Sequence, residues 1–220
     1  MSHAAAPARE PVLNPADRVS EMLFGLLMAL TFVSAVSVAD SGREQIRVMF
    51  IGAVGCNLAW GLVDAVMYLV RTITDRGRWL TLVSAVRATP DAEAGRRLIT
   101  RSLSQQAASL IAPAEIEAIR GRILALSSLP ERPRLTVDDL LAALGIFLIV
   151  VLATFPVVLP FLFIQDAGTA KNVSRAIALA MLFLGGLALG RYAGYGSWKV
   201  GFMMAGLGTA LVVAINLLGG

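Results

Sequence analysis

Five apolar stretches, divided two and three around a basic connection, constrain this chain more than any other feature. Residues 22–39, 48–70, 140–164, 173–190 and 200–218 contain no Lys or Arg apart from Arg175. A helix crossing a hydrocarbon core of roughly 30 Å needs about 17–25 such residues, because no water is present there to satisfy backbone amides. With 57% of all residues hydrophobic, the pattern excludes an ordinary water-soluble domain. The expected class is an all-α integral membrane protein with five transmembrane helices and a cytoplasmic helical insert between the second and third. The expected divisions are 1–20 for the N-terminal segment, 21–70 for helices one and two, 71–135 for the insert and 136–220 for helices three to five.

Charge sets the expected orientation. Arg71, Arg76, Arg78, Arg87, Arg96, Arg97, Arg101, Arg120, Arg122, Arg132 and Arg134 place eleven of the nineteen basic residues in one connection. Cytoplasmic loops are the ones that carry such an excess. Threading outward leaves the N-terminus cytoplasmic and the C-terminus outside, in what reads as a bacterial inner membrane. The net charge of +4 then follows from topology and gives no argument for nucleic acid. Ser37-Val38-Ala39 before Asp40 also looks like a signal-peptide cleavage site. The long polar leader and the full spanning length of the first apolar run favour a retained helix.

The insert is expected to form two or three short helices. Pro90, Pro113, Pro130 and Pro133 divide it; Ala92–Leu110 carries one partly apolar face, and Pro113 with Glu115 and Glu117 opens another helix. Thr136 followed by Asp139 marks the start of span three. Too few carboxylates are present here for a hard-metal cage. A basic face against anionic membrane lipid is the preferred reading of the insert.

Chemistry is expected within the apolar spans, where a polar side chain is costly. Glu21, Gly25, Met28 and Thr31 share one face of the first span, and Asn57, Gly61, Asp64 and Tyr68 one face of the second. Asp64 lies about 9 Å along the axis from the cytoplasmic end of its span. An ionised carboxylate there needs a partner, water, a cation or a proton. The thioether of Met28 suits transition metals better than calcium or magnesium. The plain alternatives are packing for Met28 and an interhelical hydrogen bond for Asp64. Cys56 is the lone cysteine, read as a small buried hydrophobe, and His3 is the lone histidine. Gly186, Gly190 and Gly194 repeat at four-residue spacing and predict close helix packing, as do Gly25 and Gly61. Pro156 and Pro160 are expected to interrupt span three, and Asp166 and Lys171 to be outer-loop charges.

Across nearly its whole length the layout resembles the vacuolar iron transporter family. The resemblance rests on Phe24-Gly25 with Leu30-Thr31, on Leu159-Pro160-Phe161-Leu162-Phe163, and on the closing Asn216-Leu217-Leu218-Gly219. It implies five spans, a twofold dimer with span one near the axis, and exchange of ferrous or related divalent ions for protons. The family's first span carries Gly-x-x-Asp-Gly, where this chain has Gly25-Leu26-Leu27-Met28-Ala29, so methionine stands in place of the acid. The insert also lacks the family's glutamate-rich helices.

The expected function is movement of a divalent transition-metal ion, iron or manganese, by proton exchange. Asp64 would carry charge, while Met28, Asn57 and Glu21 line the ion path and Asp64 and Met28 touch the metal. No tightly bound cofactor and no enzymatic activity are expected. The partners are membrane lipid, the metal ion as substrate and a second copy of the chain. The alternative is a non-transporting membrane scaffold whose basic insert binds a partner or anionic lipid.

Overall fold

A computed structural model describes residues 15–35, 43–194 and 196–218, and these fold into nine helices with no strand among them. The helices are α1 (Pro15–Ala35), α2 (Arg43–Ala88), α3 (Ala92–Ser102), α4 (Gln105–Leu110), α5 (Pro113–Leu124), α6 (Val137–Val158), α7 (Pro160–Phe163), α8 (Ala167–Ala193) and α9 (Ser197–Leu217). Five are long and apolar enough to cross a membrane: α1, α2, α6, α8 and α9. The protein is thus an all-α membrane-type fold. The expectations for residues 1–14, for the cleavage-like stretch 37–40 and for 219–220 lie outside the described residues.

The chain divides into two compact units, residues 1–67 with 138–220 and residues 68–137. In the first unit α1 runs through the centre. Leu26, Leu30 and Val33 are completely buried, packed with Val157 and Val158 of α6, Phe161 of α7 and Ala178 and Leu182 of α8. Leu23 lies over Gly185 and Leu30 over Gly208, so small residues on α8 and α9 make room for the leucines of α1. A Cβ on Gly186 would sit 2.8 Å from the Gly201 Cα, which shows how closely α8 and α9 approach. Such contact replaces the hydrophobic effect as the source of helix association where lipid, not water, is the solvent. Large apolar side chains such as Leu62, Val66, Leu152, Phe202 and Met203 point outward, as a lipid-facing surface requires.

In the second unit, Val86 of α2, Ile99 of α3 and Ile116 of α5 form a small core, bordered by Leu82, Leu98, Ile119 and Ile123. Its helix ends are written in ordinary aqueous chemistry. Asp91 caps α3 by accepting from the Glu93 and Ala94 amides at 3.2 and 3.0 Å. Those amides hold its carboxyl below the usual carboxylate range. Pro113 opens α5, and Glu115 accepts from the Ala112 amide at 2.7 Å.

Four local expectations are revised. Helix α2 continues unbroken past Arg71 to Ala88, so the first part of the insert is the same helix as the second span. A run of charge marks where a helix meets water, but only Pro90 stops it. The single face expected over Ala92–Leu110 is split, because Leu103 and Ser104 turn extended and Ser104 Oγ accepts from the Ala107 amide at 3.2 Å. Pro156 sits inside α6, and the interruption falls after Val158, with Pro160 opening α7. Gly194 adopts φ +72° at the C-terminus of α8, with nothing close to a notional Cβ, so it ends the helix and packs against nothing.

Candidate functional site

The first and second spans meet in antiparallel register. Phe24 and Trp60 pack edge-to-face at 6.0 Å between centroids, and the Phe32 ring lies over Gly52. Counting along the helices from these contacts, Glu21 and Asp64 share one level, toward the N-terminal end of α1. Met28 shares a deeper level with Cys56 and Asn57, about 10 Å further in by helical rise.

Helix α6 closes a seam with these two helices. A Cβ on Gly25 would sit 3.0 Å from the Val150 carbonyl oxygen, and one on Gly61 would sit 3.2 Å from that of Phe147. Both glycines therefore approach the same stretch of α6 backbone. Glu21 lies one turn from Gly25 on α1, and Asn57 one turn from Gly61 on α2, with Asp64 three residues away from Gly61 on its other side. The four residues singled out in the sequence thus flank one three-helix seam. Gly25 makes its close approach to Val150 of its own chain, so a bulky residue there perturbs this seam.

Burial differs along the seam. Glu21, Met28 and Asp64 are half-buried, and Asn57 is wholly buried. The Asn57 amide donates to the Ala53 carbonyl at 3.2 Å, while its Oδ1 is buried without a hydrogen-bond partner among the described residues. A buried acceptor left in this state costs about 1–3 kcal/mol, so something must favour keeping it. On α6, Thr154 is buried at the same depth, with its hydroxyl donating to the Val150 carbonyl at 3.2 Å. Among the described residues no three His, Cys, Asp or Glu side chains gather closely enough to hold a metal ion. The seam offers a carboxylate pair at one level and a thioether and an amide at the next.

A second polar cluster was not anticipated. Lys171, expected in an outer loop, lies inside α8 and is only 7% exposed, because α8 begins at Ala167, before the apolar count would start it. One turn on, Arg175 Nε donates to Ser34 Oγ at 3.1 Å, and its Nη2 reaches the Ser34 carbonyl at 3.4 Å and Asn216 Oδ1 at 2.8 Å. Three helices, α1, α8 and α9, are thereby pinned at their shared end. Ser174 donates to the Val157 carbonyl at 2.5 Å, one of the groups freed where α6 breaks before Pro160. The signal was present in the sequence, since Arg175 is the one basic exception in the five apolar stretches.

The insert's charges pair on its surface. Glu117 receives Arg120 Nη2 at 2.7 Å and Arg96 Nη1 at 3.3 Å. The Arg120 hydrogen bond, reinforced by the two positive charges, holds the Glu117 carboxyl below its ordinary range. The Arg96 bond ties α3 to α5, and both pairs lie outside the apolar spans.

The described residues form an all-α membrane-type fold in which the first three spans pack along one seam flanked by Glu21 and Asp64. Comparison of the chain with protein families and with curated proteins finds no match.

Proposed function

We propose that this chain is a membrane transporter for a divalent transition-metal ion, with the seam between α1, α2 and α6 as its path. The observation that carries the reading is Asn57, a fully buried amide with an unsatisfied oxygen, level with the Met28 thioether and two turns below Glu21 and Asp64. Glu21 and Asp64 attract the cation and trade it for a proton; a carboxylate that gives up its proton when metal arrives couples the two fluxes. Asn57 and Met28 then supply a neutral oxygen and a soft sulfur deeper in, where a further fixed charge would hold the ion too tightly. The resemblance to vacuolar iron transporters supports iron or manganese as the substrate and a homodimer as the assembly. Its missing first-span aspartate makes Asp64 the acid that carries the coupling here.

The test is uptake of Mn²⁺ into proteoliposomes under an imposed pH gradient. Uptake above that of protein-free vesicles is expected, with loss in Asn57→Leu and altered preference between Mn²⁺ and Cd²⁺ in Met28→Leu. Parent protein that moves no divalent ion under either direction of the gradient rejects the reading.

A further inference from the structure

A groove of about 630 Å³ lies wholly within the insert, between α2 and the segment 130–136 that returns to the membrane. We propose that it binds the phosphate headgroup of an anionic glycerophospholipid. This goes beyond the transport reading and does not depend on it.

Three arginines, Arg76, Arg132 and Arg134, line the groove against a single carboxylate, Glu131, so its occupant is an anion. Arg76 Nη1 donates to the Arg134 carbonyl at 2.6 Å and so clamps the returning segment to α2. Arg132 and Arg134 are exposed, and a guanidinium fork matches the geometry of a phosphate. The remaining wall is apolar, with Trp79 half exposed and Leu80 beside it. Pro130 and Pro133 in the returning segment restrict its backbone and so limit the positions from which Arg132 and Arg134 extend.

A soluble phosphate compound would satisfy the arginines but leave the indole and leucine wall without a partner. A phospholipid supplies both, phosphate for the guanidiniums and glycerol with acyl carbons for Trp79, the residue type that favours the boundary between headgroup and hydrocarbon. Chain connectivity points the same way. Thr136 in the groove directly precedes Val137, the first residue of α6, and Arg76 stands on the helix that carries the second span. Both walls are leashed to membrane-crossing segments. The volume is within the range of small-ligand sites, about 300–1,000 Å³.

The experiment uses full-length protein carrying Trp60→Phe and Trp198→Phe, which leaves Trp79 as the sole tryptophan. It is reconstituted into vesicles in which brominated acyl chains are carried either by phosphatidylglycerol or by phosphatidylcholine, at fixed overall composition. Trp79 emission is expected to be quenched selectively by the brominated anionic lipid. Arg132→Gln with Arg134→Gln should lower that selectivity roughly tenfold. Glu131→Gln should raise it, which guards against a double variant that merely misfolds. Equal quenching by the two brominated lipids overturns the proposal, as does selectivity retained in the double variant. Loss of selective quenching on adding glycerol phosphate or inorganic phosphate at low millimolar concentration assigns the groove to a soluble ligand and also overturns it.

Discussion

The two units of this protein hold themselves together by opposite means. In residues 1–67 and 138–220, helices close on one another through glycine, and stray polar groups bond to nearby backbone: Thr31 to Leu27, Asn57 to Ala53, Thr154 to Val150, Ser174 to Val157. In residues 68–137 the core is three buried aliphatics, and the work of fixing the helices passes to caps and to Arg–Glu pairs on the surface. The difference follows from the solvent. Lipid gives no hydrophobic gain for burying a leucine, so shape and satisfied hydrogen bonds decide packing; water gives that gain and screens charges cheaply. One consequence is that a glycine means different things in the two units.

The sharpest break of this comparison is Gly186→Leu. The notional Cβ meets the backbone of Gly201 and Val200 on α9, which cannot rotate away. A loss of about 3 kcal/mol or more is expected, seen as a collapse in monodisperse yield and thermal midpoint in mild detergent. A parent-like midpoint would show that α8 and α9 are not closely packed. Ser174→Ala comes next, since it strands the Val157 carbonyl where α6 breaks; about 1–3 kcal/mol should be lost in the same assay.

In the insert the glycine effect reverses sign. Gly121 lies in α5 with no atom within 4 Å of a notional Cβ. Gly121→Ala should stabilise this unit by about 0.5–1 kcal/mol through helix propensity alone, readable as slower amide exchange across α5. The smallest effect is electrostatic. The Glu117 carboxyl is depressed in the folded state by Arg120 and Arg96, so its contribution is present above its unfolded value of 4.5 and is lost as pH falls through the lower folded value. Acid titration with high salt as the control should loosen exchange protection in α3 and α5 below that point, and Glu117→Gln should remove the response.

The spans were legible because length and apolarity are set by bilayer thickness, and the start of α5 because Pro113 is a local signal. The continuity of α2 was not legible, since Arg71 marks a change of solvent and leaves backbone geometry untouched. Ser104 split a helix by a side-chain bond that periodicity does not register. Shared helix faces pointed to Glu21 and Met28 on the first span and to Asn57 and Asp64 on the second. Their common seam required the packing of Phe24 on Trp60 and of Gly25 and Gly61 on α6, which is tertiary information. Lys171 was misplaced for a related reason: α8 begins at Ala167, so a hydropathy count that begins after Lys171 sets the helix start too late.

The central claim is that the seam carries an ion and that Asp64 couples its passage to a proton. Asp64→Asn keeps the side-chain shape and removes the titration. Metal uptake and the accompanying proton flux, followed together in proteoliposomes between about pH 5.5 and 8, should both be lost in this variant while its elution and thermal midpoint match the parent. An Asp64→Asn protein that moves metal and protons as the parent does across that range would contradict the account and leave Asp64 as a hydrogen-bonding residue of the helix seam.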